Sequence, residues 1–167
     1  MKKIGIFYGS TTGTTKDVAK KIGEQLGVKP EDIHDVASAA PSMVGDYDVI
    51  IIGASTWGDG DLQDDMATFL DGMQAMDLRE KEVAIFGCGD ESMAQTFCNS
   101  VGEIYHRLHD AHPIFIAPFN NKGYDYSHSE SDVMGMIVGL CIDEVNHPEE
   151  TDARIKAWCD EIKEEIC

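Results

Sequence analysis

Short apolar runs alternate with stretches of helical periodicity along most of the chain. Five runs have the length of a buried strand, and they lie at residues 4–7, 47–53, 83–86, 113–117 and 136–142. Residues 33–36 give a weaker strand signal, because His34 and Asp35 interrupt the apolar residues. Apolar residues at helical spacing begin at Val18, Met66, Phe97 and Ile155. Because strands and helices alternate, the pattern predicts a doubly wound α/β fold.

The strongest strand signal is the run at residues 47–53, which needs apolar cover on both faces. The first helix is predicted to end at Gly27, and the last to begin with Thr151 as its N-cap. The pattern lapses over residues 119–135, which are polar and lack a clear period. We find neither repeats nor a linker, so residues 1–167 are expected to form one domain.

The turn between the first strand and the first helix is rich in hydroxyl groups. Its residues are Ser10, Thr11, Thr12, Gly13, Thr14 and Thr15. A helix N-terminus has unpaired amides and a partial positive charge, and these hydroxyls add further donors. Such a turn suits a phosphate group, although an ordinary Ser- and Thr-rich N-cap has the same composition.

The motifs that are absent from this turn limit the kind of phosphate compound that it could bind. Neither G-x-x-x-x-G-K-[ST] nor G-x-G-x-x-G occurs here. A nucleoside triphosphate would require a lysine and a metal ion, whereas hydroxyls without a fixed cation suit a phosphomonoester. The turn therefore favours a permanently bound monophosphate.

Two further loops follow strands that should end at the same edge of the sheet. Residues 54–65 contain Trp57, which either packs on its own loop or stacks on a flat ligand. Residues 87–91 read GCGDE. Together with the first turn, these loops resemble those of flavodoxins, whose first loop reads [ST]-x-T-G-x-T and binds the phosphate of FMN.

The resemblance covers nearly the whole chain and implies a five-stranded parallel sheet of order 2-1-3-4-5 with helices on both faces. The fifth strand would be split by residues 119–135, as in long-chain flavodoxins. The implied FMN-binding residues are those of the first turn, together with Ser55, Thr56, Trp57, Gly58, Asp59, Gly60, Cys88, Gly89, Asp90 and Met93.

Several of these residues have roles implied by the family. The peptide between Gly58 and Asp59 is expected to change conformation on one-electron reduction, which glycine permits. Asp90 is expected to hold its loop or the ribityl chain. This chain also departs from the family in two places: Glu91 replaces the usual glutamine, and Met93 occupies the place of the tyrosine that stacks on the flavin.

The strongly acidic composition limits the classes of molecule that this protein could bind. The formal net charge of −18 disfavours nucleic acid and anionic membranes, and it suits redox proteins with basic surfaces, such as flavodoxin reductases or other oxidoreductases. Asp59, Asp61, Asp64 and Asp65 lie near the expected flavin edge, either as solvated charges or as a steering surface. A monomer is the family expectation.

Neither a signal peptide nor an apolar run long enough to span a membrane is present, so we expect a cytoplasmic protein. The five cysteines form no C-x-x-C motif, and we expect no metal site. The resemblance implies a low-potential carrier whose FMN passes between oxidised, semiquinone and hydroquinone forms, with no catalytic residue of its own. The alternative is an FMN-dependent NAD(P)H or quinone reductase on the same fold.

Overall fold

The computed structural model describes residues 2–57 and 61–166. The strands are β1 (Ile4–Gly9), β2 (Ile33–Asp35), β3 (Val49–Trp57), β4 (Asp61–Leu62), β5 (Glu82–Cys88), β6 (Ile114–Phe115), β7 (Asp132–Val133), β8 (Met136–Ile137) and β9 (Leu140–Ile142). The α-helices are α1 (Thr14–Leu26), α2 (Asp64–Gln74), α3 (Asn99–Leu108) and α4 (Thr151–Ile166). None of the helices in these ranges is long and apolar enough to cross a membrane.

The central sheet is parallel and has the order β2-β1-β3-β5-β6. β9 also pairs with β5, but at the opposite end from β6. The fifth position is thus filled by two short strands separated by an insert. This arrangement confirms the predicted fold, including the split fifth strand.

Helices cover both faces of the sheet. Val49 and Ile51 of β3 face the cluster that contains α1 and α4, while Ile50 and Ile52 face the cluster that contains α2 and α3. All four side chains are fully buried. The continuous apolar run at this strand therefore has the two-sided cover that its sequence requires.

The predicted helix boundaries are partly correct. α1 ends at Gly27, which has a φ of 70° and donates its amide to the Gly23 carbonyl. Phe97 lies outside α3, because Cys98 has a left-handed φ of 55° and the helix begins after it. Thr151 is not an N-cap, because a 3-10 turn at Pro148–Glu150 precedes it and Thr151 already has helical angles.

The predicted loop at residues 54–65 is wrong in its first part. β3 continues to Trp57 and pairs in antiparallel fashion with β4, so that Thr56 lies opposite Leu62. The predicted strand at residues 136–142 is also divided. Its first residues form a hairpin with β7, and only β9 joins the central sheet. The hairpin turn holds Met134 and Gly135 at φ values of 55° and 86°, as expected for a two-residue turn of this hand.

Candidate functional site

The loops after β1, β3 and β5 begin side by side. Gly9 is paired with Ala54, and Ala54 is paired with Gly87 on its other side. Parallel strands end at one edge of a sheet, where ligands of open α/β folds bind. The three loops predicted to form one site therefore start from adjacent positions.

The first loop leaves the N-terminus of α1 without a side-chain cap. Gly13 occupies the N-cap position with a φ of 97°, a conformation that favours glycine. Its amide donates to Ser10 Oγ over 3.0 Å, which folds the loop back on itself. The amides of Thr14, Thr15 and Lys16 precede the first intrahelical hydrogen bond, which runs from the Asp17 amide to the Gly13 carbonyl over 3.0 Å. This is the local geometry of an anion site.

Thr15 adds a buried hydroxyl to this helix start. Its residue surface is 1% exposed, and Oγ1 makes no hydrogen bond of good geometry with any residue in the described ranges. The hydroxyl does lie close enough to Cys88 to favour its thiolate, but the larger effect of burial raises the pKa of Cys88 to about 12. A buried hydroxyl in this position indicates a missing hydrogen-bond partner.

Gln63 belongs to the site but was not predicted from the sequence. It is buried, and its Oε1 accepts a hydrogen bond from the Met66 amide at the start of α2. Its Nε2 lies 3.5 Å from Thr11 Oγ1. A Cβ atom on Gly9 would lie 3.1 Å from Met66 and closer still to Gln63, so a larger residue at position 9 would displace the Gln63 amide group. Glutamine is a weak N-cap signal in sequence, which explains the omission.

The second loop is anchored to α3 through Thr56. Its Oγ1 donates to Ser100 Oγ and accepts from the Ser100 amide, both over 3.0 Å. Ser100 Oγ in turn donates to the Ala54 carbonyl over 2.9 Å. The Thr56 side chain is therefore committed to α3, and only its main chain is left to meet a ligand. Ser55 is half-buried beside it.

The remaining predicted residues of this loop are only partly placed. The main chain of Trp57 pairs with Asp61 in the β3–β4 hairpin. Gly58, Asp59 and Gly60 lie outside the described residues. The stacking of Trp57 and the conformational change at Gly58 stay predictions.

In the third loop, Cys88 is buried and Gly89 donates its amide to the Ile142 carbonyl over 2.9 Å. Asp90 Oδ1 accepts hydrogen bonds from Ser92 Oγ, from the Ser92 amide and from Asn146 Nδ2. These bonds, with the one from Ser92 Oγ as the largest contribution, lower the pKa of Asp90. Asp90 thus holds its own loop, as predicted, while its contact with a ligand stays a prediction.

Met93 lies on the surface of this loop. Its side chain is 44% exposed, and its amide donates to the Asp90 carbonyl over 2.9 Å. An exposed thioether on a tight turn is available to cover a flat apolar ligand. The structure is thus compatible with the predicted role of Met93.

Glu91 connects the third loop to two distant segments. Its amide donates to Asp143 Oδ2, its Oε2 accepts from the Asp125 amide, and its Oε1 lies 2.6 Å from His147 Nε2. Sequence reasoning missed Asp143, Asn146 and His147, because the partners lie more than fifty residues apart in the chain.

These residues also bring metal-ligating atoms within 4.8 Å of one another, namely those of Glu91, Asp143 and His147. However, the Asp143 oxygens already accept from the amides of Glu91 and Val145, and from both the amide and side chain of Asn146. His147 is likewise bonded to Glu91. We therefore interpret the cluster as a hydrogen-bonded network.

The fold and the three converging loops define a flavodoxin-like α/β protein with the geometry of an anion site at the carboxyl edge of its sheet. Its sequence matches the flavodoxin family over residues 6–158. It is 37% identical to the flavodoxin of Haemophilus influenzae, covering 100% of this chain and 97% of the relative. Flavodoxin 1 of Escherichia coli K12 is 36% identical, with 97% and 93% covered. The chain belongs to the flavodoxin family.

A solved structure gives the same result for the fold. The structure of Fusobacterium nucleatum flavodoxin bound to flavin mononucleotide aligns with a TM-score of 0.90 and 26% identity. The alignment covers 99% of this chain and 99% of that one.

Proposed function

We propose that this protein binds FMN non-covalently and carries single electrons between redox proteins at low potential. The observation that carries the proposal is the start of α1, where an uncapped helix N-terminus meets the buried, unsatisfied hydroxyl of Thr15. The flavodoxin with the same fold from F. nucleatum is described as bound to flavin mononucleotide. Flavodoxins are electron carriers and do not act as enzymes on their own.

The residues present fit the phosphate of FMN. The donors would be the main-chain amides and hydroxyls of Ser10, Thr11, Thr12, Gly13, Thr14 and Thr15. This turn holds no lysine or arginine, so the helix dipole and neutral donors would balance the phosphate charge. Such a site distinguishes a monophosphate from a metal-bound triphosphate.

The other two loops would hold the ring. We assign its contacts to Ser55, Thr56, Trp57, Gly58, Asp59, Gly60, Cys88, Gly89, Asp90 and Met93. Bound FMN supplies the electron-transfer chemistry, and the protein supplies position, water exclusion and electrostatics. Thr56 and Asp90 act here through the hydrogen bonds that hold their loops.

Charge supports basic-surfaced redox partners, including reductases of the ferredoxin or flavodoxin type. Exposed Asp61, Asp64 and Asp65 line a cleft of about 460 Å³ that also includes Thr11 of the first loop. Carboxylates in this position would steer cationic surfaces toward the site. They would also oppose added negative charge, and so lower the reduction potential of a bound group.

We further propose a monomer that forms one domain over residues 1–167 and works in the cytoplasm. Four cysteines, namely Cys88, Cys98, Cys141 and Cys159, are buried free thiols, which suits a reducing compartment.

The proposal is tested by titrating the purified apoprotein with FMN and following the flavin fluorescence. We expect quenching that saturates at one FMN per chain, with competition by inorganic phosphate. Unquenched fluorescence at micromolar protein, or binding that riboflavin reproduces with equal affinity, would contradict the assignment of the first loop to the phosphate.

Replacing Met93 by tyrosine is expected to tighten FMN binding by about two- to tenfold. The reason is that an aromatic pair adds about 0.5–1.5 kcal/mol beyond its buried area. The measurement is the dissociation constant of FMN for the Met93→Tyr variant. Met134→Tyr, on the fully exposed β7–β8 turn, is the matched control and should leave affinity unchanged. Unchanged or weaker binding by Met93→Tyr would show that Met93 does not cover the ring.

A further inference from the structure

We propose that His147 is a positioning residue whose protonated form fixes the third loop through Glu91, so that both loop order and FMN affinity decrease as pH rises. The expected change in FMN affinity rests on the proposed function. The expected change in loop order does not, because it can be measured in the protein without FMN.

Both ring nitrogens of His147 face carboxylates. Nε2 lies 2.6 Å from Glu91 Oε1, and Nδ1 lies 3.0 Å from Glu150 Oε2 and 3.7 Å from Glu149 Oε1. A neutral imidazole has only one N–H, so it can donate to only one side. Only Nε2 forms a hydrogen bond of good geometry, because Glu150 Oε2 has no hydrogen-bond partner in the described ranges. The carboxylates near both nitrogens favour the imidazolium through their charge, and the Nε2 bond joins the third loop to the segment before α4.

Glu91 transmits this contact to the rest of the loop. With Oε1 paired to His147, its Oε2 accepts from the Asp125 amide of the insert over 2.8 Å. Asn146, next to His147, donates to Asp90 over 2.7 Å. The two neighbouring residues 146 and 147 thus hold Asp90 and Glu91, which precede Met93 by three and two residues.

The same segment also approaches the first loop. Glu144 and Thr14 line one cleft of about 430 Å³ together with Asp17, Lys20 and Lys21. A shift of residues 143–147 would therefore change the surroundings of both the first and the third loop.

Each element that packs against His147 contributes a charged or titratable group. Glu91 faces it from the third loop, Glu149 and Glu150 from the turn before α4, and Asp143 from the end of β9. On the other side, the Tyr124 ring lies 5.6 Å away, and Arg154 lies over that ring and 3.6 Å from Glu150. Among the neighbours named here, all in the described part of the chain, the four carboxylates outnumber the single cation, Arg154.

The hydrogen bond that His147 Nε2 donates to Glu91, together with the smaller effects of the charges of Glu91, Glu150 and Asp143, raises the pKa of His147 above its ordinary value. Because the pKa is higher in the folded state, protonation of His147 favours the form in which its ring is bonded to Glu91. The stabilisation is fully present below the ordinary histidine pKa of about 6.5 and is lost as pH rises through the higher folded value. The loss thus occurs at pH values above the ordinary histidine pKa.

The first test is an NMR titration of the histidine ring protons in the apoprotein. We expect the pKa of His147 to lie above the ordinary histidine value of about 6.5, because the ring is hydrogen-bonded to Glu91. In Glu91→Gln, the pKa of His147 should fall. An ordinary pKa for His147, or the same value in Glu91→Gln, would overturn the proposal.

The second test measures the FMN dissociation constant and the hydrogen exchange of residues 89–98 between about pH 6 and 9, a range that brackets the ordinary histidine pKa. After correction for intrinsic exchange, we expect wild-type loop protection to fall and the dissociation constant to rise by about two- to fivefold, the scale of a partly exposed ion pair. His147→Gln, which retains a hydrogen-bonding side chain but does not titrate, should remove this pH dependence. His128→Gln is the matched control and should retain it.

These outcomes separate the two proposals. If FMN does not bind at any pH, the proposed function fails while the ring titration and the hydrogen exchange still decide the role of His147. If FMN binds but its affinity and the loop protection show the same pH profile in wild type and His147→Gln, the positioning role fails and the proposed function stands.

Discussion

Replacing Thr15 by valine is expected to weaken FMN binding by roughly 10- to 150-fold while leaving the apoprotein as stable as before, or more stable. Thr15 Oγ1 is buried without a well-formed hydrogen bond among the described residues, and a phosphate oxygen would supply the acceptor. A hydrogen bond to a charged group is worth about 1.5–3 kcal/mol, which sets the expected loss of affinity. In the apoprotein, valine removes an unsatisfied hydroxyl at nearly constant volume.

Thr151→Val is the matched control for this prediction. Thr151, at the start of α4, is also 1% exposed and also has an Oγ1 without a partner in the described ranges. Both variants should unfold in urea at or above the wild-type midpoint, but only Thr15→Val should lose FMN affinity. Equal affinity of the two variants for FMN would contradict the role of Thr15.

Replacing Gly102 by alanine is expected to destabilise the protein by about 1–3 kcal/mol. Gly102 lies within α3, where alanine has the better helix propensity by about 1 kcal/mol. However, a Cβ atom at this position would lie 2.8 Å from Glu130 Cβ and even closer to the Glu130 carbonyl oxygen. Overlap with the main chain of the insert exceeds the gain in propensity, because a backbone group cannot rotate away.

The measurement is the free energy of unfolding in urea, with hydrogen exchange as a second readout. Exchange should increase around residues 127–131, because Glu130 donates its amide to Asn99 Oδ1 and Ser127 donates to the Ala94 carbonyl. Gly45→Ala is the control, since a Cβ there would meet no atom of the described residues within 4 Å. A Gly102→Ala variant as stable as Gly45→Ala would show that the insert does not pack tightly on α3.

The parts of the fold that the sequence predicts are those with local signals. The first strand, turn and helix follow from an apolar run, a hydroxyl-rich turn and a helical period, and they agree with β1 and α1. β3 was recognised because a run of branched apolar residues needs two-sided cover. The order of strands came from the resemblance to flavodoxins, since periodicity alone does not determine which strands pair.

The parts that were missed depend on contacts between distant residues. β4 is two residues long and forms because Leu62 and Asp61 pair with the end of β3, so no period marks it. Several polar groups of the insert are satisfied by tertiary hydrogen bonds, such as that from Tyr124 to the Cys141 carbonyl. Gln63 and His147 belong to polar residue types that are usually solvated, so their contacts emerge only from the structure.

One-electron transfer by bound FMN is most directly tested by an anaerobic reductive titration of the FMN-loaded protein, followed by visible absorbance and electron paramagnetic resonance. We expect a yellow protein that accepts electrons in two separate one-electron steps, with a radical signal that reaches its maximum after the first. Bleaching in a single two-electron step would favour a reductase, and a protein without flavin absorbance after addition of FMN would contradict the assignment of the three loops.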